Sequence, residues 1–397
     1  MGDEHGMAQV SYCEGRTIYF MPSIPSMGYC TYWYAPFSRD RRGIKLDRSK
    51  DWILDSGYLR VEVCSKTGTL KSAWSCLEAR EILSGAGNQL QFFQDQGQYW
   101  DAWNIDPNYA QHPLESATLK KIEWISTHPL RQRLRVVLQW RQSIFTQDYI
   151  LAWGSSVLNI ETHVDWQETH VLVKAAFPLN FSADYATYET PCGAIDRPTL
   201  PNPQPLTEHE KAKWEVPALH WADLTQSGEK VYGVSLLNDC KYGYDAQPDC
   251  LRLTLLRSPL WPDEGCDRGS HSFTYALYSH SGSWQQAKTH QKGYELNRPL
   301  IAQTVALSEA SLGRLDQERS FLSGFPDNLV LMALKQSEDS PQHWIVRAHE
   351  ACGQPAIAKL ETTLPIQPLE IVDGLEHPVA QVSDEMRGWE VRSQRWG

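Results

Sequence analysis

Short runs of β-branched and aromatic residues recur along this 397-residue chain, interrupted by Gly, Pro, Asp or Asn. They fall at 17–20, 58–63, 89–93, 134–140, 143–151, 156–164, 231–237, 251–256, 272–278, 329–334, 343–349 and 356–361. Most alternate apolar with polar residues, the period of a strand with one face in a core. Lys66-Thr67-Gly68 supplies a hairpin turn with Gly where φ turns positive. Long amphipathic helical periodicity is nearly absent; 283–296 is the best short-helix candidate and 307–319 the next. Many short strands with turn signals predict an all-β chain of antiparallel sandwiches. The stretch 197–217, with five prolines, cannot be a central strand and reads as a surface excursion. A basic link at 34–50 closes a small β region, residues 1–50. The sandwich pattern breaks again within 277–303, which divides a large β region, 51–280, from a carboxyl-terminal β-sandwich, 281–397. No internal repeat or low-complexity tract is present.

Charge and cysteine usage exclude several function classes. The net charge of −11 disfavours nucleic acid or an anionic membrane surface as partner. No apolar run approaches the roughly 20 residues that span a bilayer, and no signal peptide is recognisable at the start. Nine cysteines without a C-x-x-C pair argue against a zinc knuckle or a disulfide framework. They predict reduced thiols and a cytoplasmic location. Cys240, Cys250 and Cys266 could cluster, but small buried hydrophobes are the simpler role.

The segment most suggestive of chemistry is 87–106, GNQLQFFQDQGQYWDAWNID. Within it Trp100, Asp101, Trp103 and Asp106 place two indoles and two carboxylates in seven residues. A core strand avoids unpaired carboxylates, whereas a solvated loop avoids large apolar rings. The mixture suits a partly open surface where rings cover a sugar face and carboxylates take its hydroxyls. Two core tryptophans beside a polar turn satisfy the spacing equally well. The abundance of aromatics, 16 Trp and 17 Tyr, fits either a carbohydrate-handling surface or a large sandwich core.

This segment resembles one in the carboxyl-terminal half of glycoside hydrolase family 38, the α-mannosidases. Ile24-Pro25-Ser26-Met27-Gly28-Tyr29 resembles the motif that enters that half, and 59–83 resembles its hairpin ending in R-E-hydrophobic. Then follow Val164-Asp165-Trp166, Leu172-Val173-Lys174, Tyr188-Glu189, Gly193, Arg197-Pro198-Thr199 and 233–245, GVSLLNDCKYGYD. Leu255-Leu256-Arg257-Ser258-Pro259, 267–273 and 345–350 complete the series. Each motif is weak alone; their shared order over nearly the whole chain is specific.

The resemblance implies a galactose-mutarotase-like supersandwich with smaller flanking β-sandwiches. It also implies that the family's zinc, aspartate nucleophile and carboxylate acid/base belong to a barrel not recognisable in this sequence. His163-Val164-Asp165, the only H-x-D, lacks the surroundings of the zinc motif. The chain is therefore expected to bind no metal and to carry no catalytic residue, with an α-mannoside and the catalytic half of the enzyme as partners. The positions expected at the rim of the sugar site are Trp100, Asp101, Trp103 and Asp106, with Asp239, Lys241, Tyr242 and Asp245 from a turn after an apolar strand. Gly243 would permit that turn's tight path.

Chemistry within the chain itself is harder to assemble. Asp101 and Asp106 would stand roughly 16 Å apart on an extended strand, against about 5 Å in a retaining glycosidase. Asp239 and Asp245 flank a Gly-bearing turn and could approach each other. A mutarotase-like sugar enzyme is an alternative, with His163, His170, His220 or His271 as candidate catalysts; a stand-alone carbohydrate-binding module is another.

Overall fold

The computed structural model describes residues 11–34, 51–97, 100–305 and 316–397. Nearly all of the basic link, 35–50, lies outside them, as does most of the second helix candidate. Its last two residues, Glu318 and Arg319, enter a strand. All strand pairings among the described residues are antiparallel. Two compact units result, one of residues 42–190 with 195–298, the other of 1–41 with 191–194 and 299–397.

The larger unit is the expected supersandwich, its strands running from Ile53–Asp55 to Gly269–Ser281. A nine-stranded, a five-stranded and a four-stranded sheet share one continuous core. Arg131–Trp140 shows why these residues form strands: RQRLRVVLQW buries every second side chain and leaves the arginines partly wet. Each buried Leu or Val contributes about 1.5–3 kcal/mol. Trp140 also stacks on Phe92 of the five-stranded sheet, with ring centroids 4.3 Å apart and planes 2° from parallel. Fully buried Trp140, Trp166 and Trp221 account for part of the aromatic excess. Gly68 takes the positive φ, 76°, that the hairpin demanded. The first helix candidate forms a short helix, Thr289–Asn297. The Pro-rich excursion carries one helical turn, Glu208–Lys211, capped reciprocally by Thr207 and Glu210.

The smaller unit is built on a five-stranded sheet in the order Leu329–Gln336, Trp344–Glu350, Val391–Trp396, Pro368–Val372, Pro378–Ala380. Leu322, Val346 and Trp396 form one of its cores, and Leu329, Ala348, Ala356, Ala358 and Met386 another. The early strand Gly28–Cys30 pairs with Glu318–Ser320 and so belongs to this unit.

Candidate functional site

The five-stranded sheet of the larger unit runs in the order Val216–Pro217, Gly243–Gln247, Cys250–Arg257, Val171–Pro178, Gln89–Gln94. Leu90, Phe92, Val173, Ala175, Phe177, Tyr244, Ala246, Leu251 and Leu253 point into the core. The period of two then puts Gln91, Lys174, Asp245, Arg252 and Thr254 on the opposite face. Register sets them side by side: Lys174 stands between Gln91 and Thr254, and Asp245 opposite Arg252. This second face is covered too. Tyr109 packs there against Phe93 and Leu172, flanked by Ile105 and Trp214.

Charges enclosed in this way require partners. Lys174 Nζ, fully buried, lies 2.5 Å from Glu215 Oε2 and 2.5 Å from Asp245 Oδ2. Arg252 donates to Asp245 through Nε at 2.8 Å, to the Tyr109 hydroxyl at 3.0 Å and to Gln91 at 3.2 Å. The Thr254 hydroxyl donates to Glu215. Burial works against the Lys174 ammonium, but Asp245 and Glu215 outweigh it and raise its pKa. Burial raises the Glu215 carboxyl despite Lys174. Asp245 is equally buried, yet Lys174 and Arg252 hold it below the usual carboxylate range. Burial pushes the Tyr109 hydroxyl up to about 12.

The loop after Gln89–Gln94 is pinned by carboxylates. Buried Asp95 pairs with Arg257 and accepts the Asp106 amide at 2.9 Å. Asp101 Oδ2 accepts the Leu260 and Trp261 amides, at 2.6 and 3.3 Å, and faces His170 Nε2 at 2.9 Å. That clasp sets the exposed Trp100 ring 5.0 Å from Trp261. Trp103, 80% exposed, stands at the mouth of an open cleft of about 500 Å³. The cleft is lined by Trp103, Asn104, Trp214, Glu215, Tyr242 and Arg257, among others.

The two segments singled out from sequence thus meet, through Trp103 and Tyr242. The other expected rim residues do other work. Asp101 is occupied by its clasp, and Asp106 accepts the Asn108 amide at 2.9 Å. Asp245 belongs to a strand, not to an exposed turn, and is buried between Lys174 and Arg252. Asp239 accepts the Thr274 amide at 2.8 Å and lines a different hollow with His163 and Phe273. Lys241 Nζ sits 4.3 Å from the Phe273 ring centroid, and burial lowers its pKa. Gly243 has a strand conformation, so a tight turn is not its role; a Cβ there would stand 2.8 Å from Glu215 Oε1. Sequence reading gave no role to Asp95, Lys174, Glu215, Arg252 or Arg257. The available signal was a lone lysine in the apolar run VLVKAAF, since a charge so placed must be paired.

This arrangement can stack a ring and hydrogen-bond its hydroxyls. It is poorly suited to glycoside cleavage, because the two carboxylates it brings together, Glu215 and Asp245, grip one ammonium. The four candidate histidines are held by Ser272, Asp101, Glu189 and a backbone carbonyl, and none lines the cleft. Among the described residues no three His, Cys, Asp or Glu side chains converge on a metal position, so the donor set of a zinc site does not fit them. No helix among them is long and apolar enough to cross a membrane.

Comparison with known proteins gives a consistent set of matches. The profile described as "Glycosyl hydrolases family 38 C-terminal domain" matches residues 54–265. That of the "Glycosyl hydrolases family 38 C-terminal beta sandwich domain" matches 328–394. Alpha-mannosidase 2C1 of Homo sapiens is 37% identical over 82% of this chain and 31% of its own length. Alpha-mannosidase G of Dictyostelium discoideum is 34% identical over 78% of the chain and 28% of its own length. The chain therefore spans about a third of these relatives. An alpha-mannosidase from Enterococcus faecalis V583 superposes with a TM-score of 0.72 at 16% identity, over 87% of this chain and 42% of that structure; the likeness concerns the fold.

Proposed function

This chain belongs to glycosyl hydrolase family 38, and on that premise we propose that it supplies the carboxyl-terminal β half of a retaining α-mannosidase. In this reading its cleft meets α-linked mannose, while the nucleophile, the acid/base and zinc come from a catalytic half outside this sequence. The observation that carries it is the meeting of Trp103 and Tyr242 at the mouth of one open cleft, beside Trp214 and Arg257. Exposed rings offer faces to a pyranose, and Arg257 and Asn104 supply donors and acceptors for its hydroxyls. Nine free cysteines are compatible with a reducing cytoplasm, which we propose as its location.

Titration with methyl α-mannoside, followed by indole fluorescence, tests the cleft. Saturable quenching is expected, weakened by Trp103→Ala at unchanged stability, because so exposed a ring holds little of the fold together. Failure of the sugar to saturate the wild-type chain would remove the binding role. The purified chain should release no product from an aryl α-mannoside, with or without zinc; turnover that survives re-purification would overturn the division of labour.

A further inference from the structure

Beside the cleft lies a second cavity of about 230 Å³, which shares only Trp214 and Val216 with it. Its walls come from the Pro-rich excursion, from the strand end Ile195–Pro198, and from the ion network beneath. Tyr109, Tyr188 and Trp214 contribute rings; Asp196, Arg197, Glu210, Lys213, Asp245 and Arg252 contribute charge.

Most of these charges are already engaged. Asp245 and Arg252 bind each other and the network. Glu210 Oε2 accepts the Thr207 amide and hydroxyl, at 2.8 and 2.7 Å. Asp196 accepts the Thr187 hydroxyl at 2.6 Å. Arg197 differs. Its Nε is buried without an acceptor, and its guanidinium sits 5.9 Å from the Tyr188 ring centroid. That nitrogen is closed to the cavity, but the guanidinium lines the wall and no carboxylate among the described residues pairs with it, so an anion in the cavity would meet a cation not already neutralised. A guanidinium is matched most closely by a planar carboxylate or by a phosphate, which it can grip at two points. The half-buried Trp214 offers an apolar face, Tyr109 and Tyr188 being buried behind the wall, and the volume falls below the roughly 300–1,000 Å³ of drug-sized sites.

We propose that this cavity binds an anionic monosaccharide, its carboxylate or phosphate on Arg197 and its ring against Trp214. Lys213 adds positive charge at the wall. Asp196 and Glu210 would repel an anion seated anywhere but on Arg197, which makes the site selective for where the charge is carried.

Isothermal titration of the full chain with glucuronate, mannose 6-phosphate and mannose tests this and separates carboxylate from phosphate. At least one anionic sugar should bind about tenfold or more tightly than mannose, and added salt should weaken it. Excess methyl α-mannoside, the probe for the neighbouring cleft, should not displace it. Arg197→Gln should abolish the preference at an unchanged melting temperature, and Arg197→Lys, which keeps the charge if the glutamine variant folds poorly, should retain part of it. Equal affinity for mannose and both anions, no saturation by either anion, or an unaltered preference in Arg197→Gln would each overturn the proposal.

Discussion

Two buried carboxylates, one in each unit, are neutralised by opposite means. In the smaller unit Glu350, fully buried, accepts the amides of Cys352, Gly353, Gln354 and Trp389 at 2.7–3.2 Å and the Asn328 side-chain amide at 2.9 Å. Its donors are almost all backbone, so it ties the turn after its own strand to the segment before Val391–Trp396. In the larger unit Asp245 takes its donors from the side chains of Lys174 and Arg252. Backbone donors are fixed by the fold and leave no capacity for anything else. Side-chain cations bring net charge, further hydrogen atoms and a cavity wall. The first carboxylate is a fastening; the second lies in the wall of a cavity.

The largest effect expected from this contrast is at Lys174. Lys174→Met keeps the volume but leaves Glu215 buried without a cation beside Asp245, which then has Arg252 alone; this should cost about 3–5 kcal/mol in denaturant unfolding of the larger unit. A loss below about 1 kcal/mol would mean that Arg252 and Thr254 suffice without the ammonium. Glu350→Gln comes next. It turns one acceptor into a donor among backbone amides, for about 1–3 kcal/mol. That loss should be insensitive to salt; marked salt dependence would erase the distinction between the two centres.

Asp101 stands between the extremes, with two amides and one imidazole as donors, and its effect should be the smallest, about 1 kcal/mol. Burial pushes its carboxyl up, but the Leu260 amide, His170 and the Trp261 amide hold it below the usual range. A depressed carboxyl stabilises the fold above its unfolded-state value, near 3.9. That contribution is lost as pH falls through the lower folded value. Asp101→Asn should therefore be less stable than wild type at pH 6 and approach it below about pH 4. Parallel stability curves across that range, followed by tryptophan fluorescence, would rule out a stabilising clasp.

The strands missed in sequence are instructive. Val171–Pro178 has no clean alternation because the core covers one face and Ile105, Tyr109, Trp214 and Glu215 cover the other. Gly243–Gln247 reads as a turn because Gly and Asp are weak strand formers; its Gly answers to the nearby Glu215 and its Asp to Arg252. Both carry the buried network, which is why the network itself was illegible. Strands with one wet face, such as Arg131–Trp140, were plain.

The sequence by itself determined the all-β class and the family, and it singled out the loop whose indoles, Trp100 and Trp103, stand exposed. Period-two patterning records which side chains face a core, and ordered motifs record descent. Only the tertiary structure decided that Trp140 is core while Trp103 stands 80% exposed. It alone brought Glu215 to Lys174 across 41 residues and Arg252 to Tyr109 across 143. The reason is physical: spacing along a strand fixes which face a side chain takes, whereas what covers that face is set by segments distant in the chain.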